Sequence, residues 1–218
     1  MMSRLELVKQ LQQTGVFMME HGLAWGIAGN ISARFTNDQF YISASGTYLG
    51  EMEVDDFSLC SGAGLEEGKK QSKEFLMHQG IYEERPEINA ILHSSPFFST
   101  MIACSGLDLP ANYFVEAMYY LERVERIPYR HPGSRELASA VKQKAKLTNV
   151  MLLENHGVIV YDKSLKEARM ALQTLEYTAK MHIHALRQGV GMQGLTRELQ
   201  HDFLQNAGYK PVRNWPEN

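Results

Sequence analysis

The chain has 218 residues, 22 Lys+Arg against 25 Asp+Glu, and 44% apolar residues. That length supports one domain with a full hydrophobic core, and the composition excludes a disordered chain. A formal net charge of -3 gives no electrostatic reason to expect nucleic acid or a membrane surface as partner.

Taken in chain order, residues 4 to 20 place Leu5, Val8, Leu11 and Phe17 at helical spacing, which predicts a helix with one buried face. A Gly-punctuated stretch around Trp25 to Gly29 leads into an alternating segment through Phe35, and Gln39 to Ser43 reads as a second strand. The two form a predicted hairpin across Thr36, Asn37 and Asp38. Residues 61 to 73 are polar and Gly-rich and read as a loop. Glu74 to Glu84 is a predicted helix stopped by Pro86, and Ile88 to His93 is an apolar run of buried-strand length. Pro96 opens a helix to about Ser105, residues 107 to 132 mix short pieces, and Gly133-Ser134 opens a helix over Arg135 to Lys146. Val150 to Leu153 and Val158 to Tyr161 are further strands. Ser164 caps a long helix to about Arg187, with Leu165, Ala168, Leu172, Leu175 and Ala179 on one face. The tail after Gly189 has no clear pattern. The alternation predicts one α/β domain, with helices on both faces of a mainly antiparallel or mixed sheet.

Two apolar strands each deliver a histidine at or just past their C-terminal end: His93 and His156. Neutral imidazoles at a sheet rim suit a zinc-like cation, which needs about three protein ligands and one open position. The plainer alternative is two unrelated, hydrogen-bonded histidines. His182 and His184 lie two apart on a helix and point to different sides, so they cannot close on one ion. His78 lies one turn after Glu74, as a tuned couple or as an ordinary hydrogen-bonded neighbour. Three stretches offer backbone N–H groups and hydroxyls to an anion: Gly29 to Ser32, Ser43 to Thr47, and Ser72 with Lys73 ahead of a helix. Cys60 and Cys104 are too few for a disulfide framework, the longest apolar runs are short of a membrane span, and the start lacks a signal-peptide pattern. The expectation is a cytoplasmic chain with free thiols.

The order of short motifs resembles the class II aldolase/adducin family. The matching pieces are Gly29-Asn30-Ile31-Ser32, Ile42-Ser43-Ala44-Ser45-Gly46, Ser72 through His78, Asn89 through His93, Pro132 through Ala138, and Leu153-Glu154-Asn155-His156-Gly157. The resemblance covers roughly residues 5 to 187. It implies a single α/β/α domain over residues 1–218 around an antiparallel-rich sheet, with the tail after about 189 unassigned. It also implies a cyclic homotetramer with sites in clefts between subunits, and one divalent cation per subunit, usually zinc. Carried over, His93 and His156 are metal ligands and Glu74 is the catalytic acid/base. Gly29, Asn30, Ser45, Gly46, Ser72 and Lys73 fall on the phosphate-binding segments.

Two departures stand out. The family's His-x-His reads His93-Ser94-Ser95, so Ser95 replaces a ligand, and its Ser-Ser pair reads Ser72-Lys73. Glu116 is the expected replacement ligand, because its stretch passes the site in the family. Tyr113, with Tyr209 as second choice, is the expected acid/base for a departing aldehyde. The implied function is an aldolase that cleaves a small ketose phosphate or related sugar through an enediolate. Epimerisation or dehydration on the same site is one alternative. A non-catalytic, adducin-like assembly role with a degenerate metal site is the other.

Overall fold

The computed structural model describes residues 3–215. The first helix, α1 (Arg4–Glu20), starts at a capping box in which the Ser3 hydroxyl accepts from the Glu6 N–H and the Glu6 carboxylate accepts from the Ser3 N–H. Its buried face carries Leu7, Val8, Leu11, Thr14 and Met18. Leu5, expected on that face, is 66% exposed. Leu5 and Val8 are only three residues apart, and the stripe centred on Leu7, Leu11 and Met18 turns Leu5 to solvent.

Among the described residues, eight strands form one sheet in the order β4-β3-β2-β1-β5-β8-β7-β6. Their ranges are β1 (Asn30–Arg34), β2 (Gln39–Ser43), β3 (Phe57–Ser61), β4 (Gly64–Glu67), β5 (Ala90–Ser94), β6 (Val124–Ile127), β7 (Val150–Leu153) and β8 (Gly157–Asp162). Every neighbouring pair is antiparallel except β6 and β7, which run parallel. The hairpin across Thr36 to Asp38 joins β1 and β2, as its sequence predicts. The polar stretch read as a loop instead holds β4, a largely exposed edge strand with a register shift against β3. A short, charged edge strand has no apolar alternation, because it has no buried face to require one.

The remaining α-helices of the described residues are α2 (Phe75–Glu84), α3 (Phe97–Ala103), α4 (Val115–Tyr120), α5 (Arg135–Ala145), α6 (Leu165–Gln188) and α7 (Arg197–Asn206). Helices α2 and α5 cover one sheet face, where Phe75, Met77, Ile81, Leu137 and Val141 pack on Ile91, Met151 and Ile159. Helices α1, α3, α4 and α6 cover the other, where Leu11, Ile102, Ala117, Leu172 and Leu175 pack on Ile31, Leu92, Val150 and Val160. Both faces of β5, β7 and β8 are therefore buried, which is why these strands read as unbroken apolar runs. Ser164 caps α6 by accepting from the Glu167 N–H, and Gly189 ends it in the left-handed conformation.

The unpatterned tail contains α7, capped by Thr196, and then a segment that returns to the end of β8. There Arg213 reaches Asp162 at 2.9 Å, at the end of β8, and Lys210 reaches Glu167 at 2.6 Å.

Candidate functional site

The start of β1, the end of β5 and the start of β8 lie at one rim of the sheet. Asn30 is the cross-strand partner of His93, and His93 is the partner of Ile159. The alternation of β5 puts Leu92 on the α6 side and His93 on the α2 side, toward Glu74 at the head of α2. Close backbone approach tightens this rim. Gly29 has φ +111°, and a Cβ there would lie 2.6 Å from the His93 carbonyl. Gly157 has φ +152°, and a Cβ there would collide with the Ser94 carbonyl. Only glycine fits both demands at once.

His156 stands in the turn between β7 and β8, where Asn155 takes a left-handed φ of +53° and the His156 N–H donates to the Leu153 carbonyl. The turn brings the His156 ring to 4.8 Å from that of His93, centroid to centroid. Glu74 lies between the two. Its Oε2 is 2.9 Å from His93 Nε2 and its Oε1 is 3.0 Å from His156 Nε2. One ligand atom from each of these three residues lies within 4.8 Å of the others.

This donor set fits a divalent cation. His93 Nδ1 donates to the Val158 carbonyl at 2.8 Å, which fixes the ring and turns Nε2 toward the carboxylate. Glu74 Oε1, although close to His156, is buried without a well-directed hydrogen bond. Two imidazole nitrogens and a buried carboxylate are the chemistry of a three-ligand catalytic site with an open position. Burial by itself would raise the Glu74 carboxyl, but His93 and His156 hold it well below the usual carboxylate range. Burial works against a charge on His93, and the Glu74 carboxylate outweighs it, so the ring is raised.

The third member of this cluster is Glu74, and the expected Glu116 is not in it. Glu116 is exposed in the first turn of α4 and lines a different cavity, with Met170 and Tyr177. The Ser95 hydroxyl donates to the His156 carbonyl at 3.0 Å. Tyr113 is held by His182, with 2.7 Å between the phenol oxygen and Nδ1, and does not line the cavity at His156. Tyr209 packs against Tyr119 and Phe203.

The three anion-favouring stretches meet beside Glu74. Ser43 Oγ accepts from the Ile31 N–H, the Ser72 N–H donates to the Ser43 carbonyl, and the Ser45 N–H donates to the Lys70 carbonyl. Ser45, Gly46 and Lys73 are exposed there, with Gly46 at φ +81°. Ser72 is buried, and its hydroxyl accepts from the Glu74 N–H. Asn30 is buried too, and its amide is engaged by Glu74 and His78.

A cavity of about 560 Å³ opens at His156, lined by Trp25, Ser95, Phe97, Met101 and Cys104. Sequence reasoning read Ser32 only as part of an anion-favouring stretch and did not find Tyr82; the two hydrogen-bond to each other, with Ser32 also bonding His78. Tyr82 is four residues after His78 on the same helix face, and Ser32 is two after Asn30 on the same strand face, so the periodicities carried that signal.

The sequence matches the Class II Aldolase and Adducin N-terminal domain over residues 9–183. It is similar to the 3-oxo-tetronate 4-phosphate decarboxylase of Haemophilus influenzae, 34% identical over 78% of this chain and 83% of that protein. It is likewise similar to the L-fuculose phosphate aldolase of Haemophilus influenzae, 31% identical over 90% of this chain and 91% of that one. In structure it resembles YgbL from Klebsiella pneumoniae with a TM-score of 0.86 and 28% identity, covering 93% of this chain and 99% of that one.

Proposed function

The chain belongs to the class II aldolase and adducin family, and we propose that it is a divalent-metal-dependent carbon–carbon lyase acting on a small ketose phosphate or related sugar. The observation that supports this most is the convergence of Glu74, His93 and His156, from three separate elements, on one buried point at a sheet rim. A purely structural copy of the fold has no need to bury a carboxylate against two imidazoles.

Glu74, His93 and His156 would hold the cation, and zinc suits two imidazoles and one carboxylate. When bound, a divalent cation supplies positive charge for the oxyanion that develops as the carbon–carbon bond breaks. The residues do the rest. The exposed Ser45 hydroxyl and the Gly46 N–H, with the Lys73 ammonium, bind the phosphate. Glu74, ionised at rest, shuttles one proton: in cleavage it takes the proton from solvent and gives it to the carbon that keeps the bonding electrons, and in condensation it takes it back. The proton of the departing carbon's hydroxyl passes to a base, for which Tyr113 is the choice. Tyr113 does not line the cavity of its own chain, so it serves the site of a neighbouring copy in a homotetramer.

A second reading is favoured by the similarity to the Haemophilus influenzae decarboxylase. Loss of carbon dioxide from a 3-oxo sugar-acid phosphate breaks a carbon–carbon bond and leaves the same kind of oxyanion, with no departing hydroxyl to deprotonate. Retro-aldol assays on fuculose, rhamnulose and ribulose phosphates, beside carbon dioxide release from 3-oxo acid phosphates, separate the two. Cleavage of a phosphorylated ketose that stops with chelator and returns with metal supports the aldolase. Carbon dioxide release alone selects the decarboxylase, and inertness toward both classes contradicts the lyase reading.

A further inference from the structure

Behind Glu74 a chain of polar groups runs into the protein, and the reaction described above uses none of it beyond Glu74 itself. Asn30 Nδ2 donates to Glu74 Oε2 at 3.0 Å. Asn30 Oδ1 lies 2.6 Å from His78 Nε2, His78 Nδ1 lies 2.7 Å from Ser32 Oγ, and Ser32 Oγ lies 2.8 Å from the Tyr82 hydroxyl. Ser32 and His78 are 0% exposed, and Asn30 and Tyr82 at most 5%.

Each link has one direction. An ionised carboxylate only accepts, so Asn30 must turn its NH₂ to Glu74 and its carbonyl to His78. His78 Nε2 therefore carries the proton. Burial and the nearby His93 push His78 down to about 3, so the ring is neutral and its Nδ1 accepts. Ser32 then donates to Nδ1, and its oxygen accepts from Tyr82. Four groups, Tyr82, Ser32, His78 and Asn30, point their donors one way, toward a carboxylate that two imidazoles already face.

We propose that His78 is a positioning residue for Glu74, acting through Asn30, with Ser32 and Tyr82 setting the sense of the chain. If His78 fails to donate, the Asn30 amide is free to turn over and present its oxygen to the carboxylate. The carboxylate then moves away from the point it shares with His93 and His156. The relay is the local means by which a side chain at the head of a helix is held to one orientation. The inference rests on the reading of Glu74 as a cation ligand, and the test separates failure of the one from failure of the other.

The test compares wild type, His78→Gln, His78→Leu and Tyr82→Phe, each checked for folding by thermal melting. Gln keeps one N–H donor and one acceptor, whereas Leu keeps neither. Cobalt(II) is added to metal-free protein, and affinity and the visible ligand-field spectrum are read. The expected result is roughly 10-fold or greater loss of affinity and an altered spectrum in His78→Leu, as is usual when support behind a ligand is lost. His78→Gln should stay close to wild type, with Tyr82→Phe between. Equal affinity in wild type and His78→Leu overturns the proposal, as does equal loss in Leu and Gln. If His78→Leu does not fold, the Gln and Tyr82→Phe comparison decides. Independently of cobalt, nitrogen NMR of metal-free wild type at pH 7 should show His78 neutral with its proton on Nε2. A proton on Nδ1 overturns the relay. Failure of wild type to take cobalt, with that tautomer intact, instead overturns the cation reading of the site.

Discussion

Ser95 donates its hydroxyl to the main-chain carbonyl of His156 at 3.0 Å. The residue in the place of an expected metal ligand therefore braces the turn that carries another. Ser95→Ala should lower stability by about 1 kcal/mol, the net worth of one such bond. Metal content should stay that of wild type, because the cluster of Glu74, His93 and His156 does not include the hydroxyl. Thermal melting and elemental analysis of the same preparation check both, and loss of metal in Ser95→Ala would show that the hydroxyl is a ligand.

Gly157→Ala should destabilise the protein and loosen the site together. The residue has φ +152°, and a Cβ would collide with the Ser94 carbonyl. The strain is of order 1–3 kcal/mol, read by denaturant unfolding. Relief of that strain by a shift of β8 should move His156 and weaken metal binding.

The two thiols should behave differently. Cys104 is exposed, while Cys60 is fully buried and burial pushes its thiol up to about 12. Native protein should therefore react quickly with one equivalent of a disulfide reagent and expose the second thiol only on unfolding. Two fast thiols would contradict the packing of β3.

Arg213→Ala should cost about 3–5 kcal/mol, because it leaves Asp162 buried without its cation. Asp162 is 4% exposed and lies 2.9 Å from the guanidinium. A change within 0.5 kcal/mol by urea unfolding would mean that the C-terminal segment is not seated on β8 in solution.

The Glu74 and His93 pair makes metal-free stability depend on pH from both sides. Glu74 is depressed from its ordinary 4.5, so its contribution is lost as pH falls below that value. His93 is raised from its ordinary 6.5, so its contribution is present below that value and lost as pH climbs through the raised one. The stability difference between wild type and Glu74→Gln should therefore be greatest between about pH 4.5 and 6.5 and shrink on either side. A difference that grows steadily toward alkaline pH would contradict the pairing.

Much of this was legible in the residues, for physical reasons. The strands bearing His93 and leading to His156 are buried on both faces, so they announce themselves as apolar runs. The anion-favouring stretches were legible because turns next to a helix start need Gly and Ser. The edge strand β4 was not legible, since exposed polar residues carry no period. Glu116, expected from the stretch that passes the site in the family, lies on α4 at a separate cavity. Glu74 was found, but as a proton shuttle only. Its place between the two rings depends on the antiparallel pairing of β1, β5 and β8, which no local pattern encodes. The relay behind it was missed because Ser32 reads as part of an anion-favouring stretch and Tyr82 as an ordinary core-edge residue until their partners are known.

The most direct test of the account is the metal content of wild type, His93→Ala, His156→Ala, Glu74→Gln and Glu116→Ala, each purified metal-free and reloaded with zinc, manganese or cobalt. The account predicts one divalent cation per chain in wild type and in Glu116→Ala, with large losses in the other three. No bound cation in wild type, or full occupancy without both His93 and His156, would contradict it.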